Sequence, residues 1–361
     1  MGVFARKDVR RFFSRFAIPV MAFCNPSIKS SHQRGCPPGA FRVRCTVMTD
    51  AITRRRPTSD ASGPEPWTAP LEPAPGNRFL CRLRAIRRMG LSCLWTLVAS
   101  IPQRLLLRRK SAAKIVFARF YWATICRILG LHVRVIGSAA GTIRDSVAVQ
   151  NGERPIIFVA NHSSWLDIAV AGGILPTVFV AKQQIADWPV IGTLARLGRT
   201  IFVSRQRNNT GRELQAMTDR LNNGDNLILF PEGTSTDGTH VLPFMSSFFA
   251  IAKPSRIDPT VPAPPSVLIQ PVSIVYDRLD GLPIGRARRT ALAWYGDMEL
   301  APHIWSVTQW RSLGATVILH PPVDPADFPS RKELSSAVQS IVALGVAKLH
   351  HNPDQIETAG L

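Results

Sequence analysis

Acidic side chains are scarce in this chain while basic ones are plentiful. Twenty-four Asp and Glu stand against 44 Lys and Arg over 361 residues, a formal net charge of +20 at pH 7. Such an imbalance implies attraction to polyanions, and both a nucleic acid and an anionic bilayer qualify. The scarcity is sharpest between Asn77 and Lys110. Arg78, Arg82, Arg84, Arg87, Arg88, Arg104, Arg108, Arg109 and Lys110 fall there with no acid among them. They bracket an apolar stretch and line no aromatic-studded strand or recognition helix, which favours a membrane over nucleic acid. A solvated basic face is the plainer alternative.

Other absences narrow the classes further. The six cysteines (Cys24, Cys36, Cys45, Cys81, Cys93, Cys126) form no CxxC pair, so neither a zinc site nor a disulfide frame is expected, only reduced thiols of a cytoplasmic-facing protein. No secretory apolar region with a small-residue cleavage site is evident near the start. Met1 to Gly76 is rich in Arg, Pro and Ser and carries Pro64, Pro66, Pro70, Pro73 and Pro75. It reads as a disordered extension, with Met48 an internal candidate for the start, although its Arg-rich opening also suits a transit peptide. No internal repeat is seen.

What is present is organised in two parts. Residues 77–130 are expected to be membrane-associated helices. The charge-free run Met89–Gln103 spans ~22 Å as a helix, short of a ~30 Å hydrocarbon core. A helix lying in or dipping into the interface is therefore expected, crossing only if Arg104 snorkels. A second helix follows over Ser111–Leu129 and ends at Gly130. Residues 131–350 alternate short β-rich runs with helical ones, which predicts an α/β domain built on a largely parallel central sheet flanked by helices. Strands are expected at His132–Ile136, Ile156–Ala160, Thr177–Ala181, Thr200–Val203, Asn226–Phe230, Val267–Val275, Ala291–Trp294 and Thr316–Leu319. Pro254–Pro265 reads as a surface loop and residues 351–361 as a flexible tail.

Four blocks carry chemistry. Asn161-His162-Ser163-Ser164-Trp165-Leu166-Asp167 follows an apolar strand, where open α/β sheets place their sites. A carboxylate five residues after a histidine can accept from one ring nitrogen across the turn and leave the other as a base. That spacing alone is equally that of a structural histidine. Gly198 to Arg205 puts an arginine just past another strand, suited to a bidentate grip on phosphate or carboxylate. Phe230-Pro231-Glu232-Gly233-Thr234-Ser235 again ends an apolar strand. There Glu232 is placed to accept from a substrate hydroxyl or orient a cation, and Gly233 lets a ligand approach the backbone. Leu268-Ile269-Gln270-Pro271-Val272 holds a proline tolerable only at a sheet edge or a bulge, and walls either an acyl groove or the core. No second histidine stands at ligand spacing to His162, so a metalloenzyme is not expected.

In this order, the blocks resemble those of the glycerolipid acyltransferases of the 1-acylglycerol-3-phosphate acyltransferase type, marked by N-H-x-x-x-x-D, G-x-[IV]-F-[IV]-x-R, F-P-E-G and a hydrophobic block with a proline. The likeness covers roughly Arg119 to Val323. It implies that His162 is the general base on the acceptor hydroxyl and Asp167 its orienting partner. It implies too that Arg205, Glu232, Gly233 and Thr234 shape the head-group site, with Pro271 in the substrate groove. Lys182 falls where many members carry a basic residue. No cofactor is implied; the co-substrate is acyl-acyl carrier protein or acyl-coenzyme A, and the partner surface is membrane lipid, not nucleic acid. The resemblance thus implies an O-acyltransferase acting on a lysophospholipid, 1-acylglycerol-3-phosphate first, at a membrane with its catalytic domain on the cytoplasmic side, peripheral or single-pass. One departure stands out: many members follow F-P-E-G-T with arginine, and here Ser235 takes that place. The stretch Trp294 to Glu299 with His303 and Trp305 resembles a subset that includes lyso-ornithine-lipid acyltransferases, the alternative acceptor. More distant alternatives are a lipid or thioester hydrolase and a non-catalytic membrane-binding module.

Overall fold

The computed structural model describes residues 74–109, 112–203, 210–254 and 265–351. The expected extension up to residue 73, most of the Pro254–Pro265 loop and the tail beyond His351 lie outside the described residues.

Helix α1 (Arg78–Leu107) begins where the Asn77 side chain accepts from the Phe79 amide, 2.9 Å away. Its 30 residues make it ~45 Å long, twice the charge-free run read from the sequence. The reason is elementary: arginines interrupt a charge-free run without interrupting a helix. Helix α2 (Ala113–Leu129) follows and stops at Gly130, as the sequence predicts. The chain continues through β1 (Leu131–Ile136), α3 (Ser146–Gln150), β2 (Ile156–Ala160), α4 (Leu166–Ile174), β3 (Thr177–Lys182), α5 (Gln183–Ala186), α6 (Pro189–Leu197), β4 (Ile201–Val203), α7 (Thr210–Asn222) and β5 (Asn226–Leu229). After a 3-10 turn at Ser246–Ile251 come β6 (Leu268–Leu279), β7 (Leu282–Pro283), a second 3-10 turn at Arg286–Ala291, α8 (Leu300–Gln309), β8 (Leu313–Leu319) and α9 (Arg331–His351).

The eight strands form one sheet in the order β1-β8-β6-β2-β5-β3-β4, with β7 paired on β6. Pairing is parallel except where β6 meets β7 and β8. Both faces are covered, so β2 is apolar throughout instead of alternating. Ile156, Phe158 and Ala160 join a core with α2, α4 and α8, through Ile125, Val170 and Val307 among others. Ile157 and Val159 join a second core with α7 and α9, through Leu221, Leu334 and Val338.

Three expectations are decided by the structure. Ala291–Trp294 is no strand: Leu292 and Ala293 are apolar because they are buried, and the Trp294 amide donates to the Ser163 carbonyl instead of to a ladder (2.8 Å). Pro271 is not at an edge but inside the sheet, opposite Val159 of β2. On its other side Val272 pairs with Leu319 and Ile269 with Val323, which leaves one extra residue between them, the bulge that a proline tolerates. The basic run of α1, lastly, is partly structural. Arg88 is buried and donates to the carbonyls of Thr308, Trp310 and Arg311, and Arg84 to that of Gln309, so both hold α1 onto the end of α8.

Candidate active site

Register alone brings two of the blocks together. Ile157 and Val159 of β2 stand opposite Leu227 and Leu229 of β5, an offset of 70 residues. Three positions further on, at the carboxyl edge, the same offset sets His162 beside Glu232. The His162 amide donates to Glu232 Oε1 (2.7 Å), and the imidazole lies on the Phe230 ring with centroids 4.5 Å apart. Glu232 Oε2 accepts from the Leu242 amide (2.8 Å). Each oxygen of this buried carboxylate accepts one backbone amide, so Glu232 braces the histidine loop against the loop that carries Leu242. Burial pushes its pKa up to about 7, against the pull of those two amides.

Asp167 sits in the first turn of α4 and is fully buried. Its Oδ2 accepts from His162 Nδ1 (2.7 Å) and from the amides of Ser163 (2.8 Å) and Ser164 (2.9 Å). Its Oδ1 accepts from the Tyr276 hydroxyl (2.6 Å), a residue the motifs did not point to. Burial and the adjacent Asp167 raise the Tyr276 pKa well above 10, so the phenol stays a donor. Since an ionised carboxylate only accepts, the imidazole proton lies on Nδ1 and Nε2 presents a lone pair. The His162 side chain is 21% exposed, enough to meet a substrate.

The surrounding residues lock this turn. Asn161 clamps the backbone of β6, donating to the Ile274 carbonyl (2.9 Å) and accepting from the Ile274 amide (2.8 Å). The Thr236 amide donates to the His162 carbonyl (2.9 Å), folding the loop after Phe-Pro-Glu-Gly back over the histidine. Gly233 makes that reversal possible with φ +68, a region few side chains tolerate. Thr234 is exposed beside it, and Lys182 is exposed at the carboxyl end of β3, on the same edge of the sheet. Pro271 is buried beneath the turn. Arg205 lies outside the described residues. Its neighbour Arg199, in left-handed backbone (φ +64), grips the buried Asp225 with both guanidinium nitrogens and so ties β4 to the start of β5. No local pattern marks Tyr276 or Asp225, because each partner is remote in the chain. Among the described residues no group of three or more His, Cys, Asp or Glu side chains is placed to hold a metal.

A buried carboxylate orienting a partly exposed imidazole at the carboxyl edge of a mostly parallel sheet has the geometry of a general base in an α/β enzyme. The acyltransferase domain family matches residues 142–275, which contain both the histidine-aspartate and the Phe-Pro-Glu-Gly blocks. The lyso-ornithine lipid O-acyltransferase of Rhizobium meliloti is 36% identical over 223 residues, covering 61% of this chain and 71% of that protein. The 1-acyl-sn-glycerol-3-phosphate acyltransferase of Neisseria gonorrhoeae is 30% identical over 196 residues, covering 53% and 69%. The chain belongs to this family of lysolipid acyltransferases. In fold it matches the crystal structure of the 1-acyl-sn-glycerophosphate acyltransferase of Thermotoga maritima, with a TM-score of 0.50 and 23% identity over 74% of this chain and 97% of that one.

Proposed function

We propose that the protein transfers a fatty acyl group from an acyl thioester to the free hydroxyl of a lyso-ornithine-type lipid, with His162 as general base. The observation that carries the catalytic reading is His162 itself: Nδ1 held by Asp167, Nε2 facing outward. Nε2 takes the hydroxyl proton as the acceptor oxygen attacks the thioester carbonyl. The C–S bond then breaks, and the thiolate leaves with the proton returned by His162. The amides of Thr234 and Ser235 donate to no described residue. They sit on the turn beside His162 and are the donors this reading assigns to the oxyanion that forms in between.

Two observations support the acceptor. The Rhizobium relative, a lyso-ornithine lipid enzyme, is more similar than the Neisseria one. Ser235 also replaces the arginine that would meet a phosphomonoester. The second reading, 1-acylglycerol-3-phosphate, draws on the Neisseria relative and on a fold shared with the Thermotoga enzyme. The donor is the thioester of acyl carrier protein or of coenzyme A. Helix α1 carries the membrane contact: Cys81, Ala85, Ala99 and Gln103 face the domain, while Leu94, Leu97, Val98, Ile101 and Leu105 are exposed. A helix docked along one side lies in the interface with its apolar side down. That reading sets the catalytic domain on the cytoplasmic side, where both thioesters are held.

The test is a purified chain supplied with labelled acyl donor and a choice of lyso-ornithine lipid or 1-acylglycerol-3-phosphate. Acyl transfer to the first acceptor is expected to exceed transfer to the second. His162→Ala is expected to lose roughly a hundredfold or more in kcat. A variant transferring acyl groups at the parental rate removes His162 from the mechanism, and thioester loss independent of acceptor makes the protein a hydrolase.

A further inference from the structure

The stretch from Trp294 to His303 resembles a subset of the family and has no part in the chemistry described so far. It nevertheless touches the catalytic turn twice. The Trp294 amide donates to the Ser163 carbonyl, and the Trp165 indole Nε1 donates to His303 Nδ1 at 3.0 Å. We infer that His303 is a positioning residue for acyl transfer, acting through the Trp165 indole on the turn that carries His162 and Asp167.

The argument begins with Trp165 itself. It stands between Ser164, whose amide serves Asp167, and Leu166, the first residue of α4. No side chain caps that helix at Trp165. Glu232, Thr236 and Trp294 fix the backbone of His162 and Ser163, and Asp167 ties the turn together from within; at Trp165 the hold comes from whatever fixes the indole. A part-buried indole N–H needs an acceptor, and α8 supplies one from a side chain with no solvent exposure. His303 can accept at Nδ1 only as the neutral ring with its proton on Nε2, the tautomer that the indole N–H selects; burial keeps the ring neutral by lowering its pKa to about 4. A buried neutral histidine costs stability that a leucine of similar volume does not. The helix that presents it is itself fixed, since Arg84 and Arg88 hold the carbonyls at its far end. The chain of contacts therefore runs from α1 through α8 to the catalytic turn, and its last link is one hydrogen bond.

This inference rests on His162 acting as base, and a His162→Ala control in the same assay tests that separately. Trp165→Phe removes the donor and keeps a ring, His303→Leu removes the acceptor and keeps the volume, and His303→Asn keeps an acceptor near Nδ1. Each full-length variant is assayed in lysolipid micelles with saturating acyl donor, alongside its thermal unfolding midpoint. Trp165→Phe and His303→Leu are each expected to lower kcat about tenfold or more, because small misplacements of a base are costly. The acceptor KM is expected to stay within about twofold, the double variant to be no slower than the worse single one, and His303→Asn to recover most of the rate. The inference is overturned if both single variants keep kcat within about twofold. It is equally overturned if kcat falls only in step with lost folded protein, if the losses multiply, or if His303→Asn is as slow as His303→Leu.

Discussion

The Asp167 carboxylate has no contact with solvent and depends wholly on its four donors. Three of them serve Oδ2 and come from the turn itself; among the described residues Tyr276 alone serves Oδ1. Replacing Tyr276 with Phe leaves that oxygen buried without a donor, at a cost of ~1–3 kcal/mol in stability. The same change frees the carboxylate to rotate away from the imidazole. Tyr276→Phe is expected to unfold at lower urea and to show a kcat at least about tenfold lower, with acceptor KM little changed. Equal activity in the folded variant argues against the orienting role. His162 and Asp167 were legible in the sequence because five residues separate them and a single turn brings them together. Tyr276 was not, because it lies 109 positions along the chain from Asp167 and only the β6 register sets its hydroxyl over the turn.

At the scale of elements, α1 shows how one charge pattern serves two ends. Arg87 is exposed, whereas Arg88 next to it is buried against the carbonyls that end α8. A guanidinium there satisfies acceptors a helix end leaves open and meets the negative end of its dipole. Arg88→Ala strands several buried carbonyls at once and is expected to cost ~3 kcal/mol or more. Arg87→Ala is expected to fall within ~0.5 kcal/mol of the parent. Chemical denaturation of the two variants side by side checks the contrast. The sequence marked both residues as basic, but which of them turns inward depends on where α8 ends. The length of α1 was misjudged for a related reason, since a hydrophobic run and a helix are different quantities.

For the whole molecule, two measurable properties follow from where charge and apolar surface end up. Burial lowers His303 and His320 to about 4, from 6.5. Between those values the unfolded chain binds more protons than the folded one, so their contribution is complete above pH 6.5 and is lost as pH falls toward 4. Glu232, raised from 4.5 to about 7, works the other way over that interval, since there the folded state holds the extra proton. Two histidines outweigh one glutamate. Unfolding free energy is expected to drop by about 1–2 kcal/mol between pH 7 and pH 5, and urea titrations at the two pH values measure it. The second property is membrane affinity. Leu97 and Ile101 are 68% and 64% exposed on α1, and each such side chain inserted into lipid yields ~2 kcal/mol. Leu97→Glu with Ile101→Glu is expected to abolish flotation with anionic vesicles and leave the fold intact. Persistent flotation places the lipid contact elsewhere.

The sequence by itself determined most of the elements and the contact between His162 and Asp167. Apolar runs bounded by turn residues dictate strands and helices locally, and a histidine and an aspartate five residues apart need only one turn to meet. Parallel strands are joined by long crossovers, so their neighbours are remote in sequence and no local pattern names them. The tertiary structure alone therefore decided that β5 and β6 flank β2, that Glu232 braces the histidine loop, that Tyr276 reaches Asp167, and that Trp165 rests on His303. Each of these contacts depends on register across the sheet or on packing between layers, quantities fixed only when the whole chain has folded.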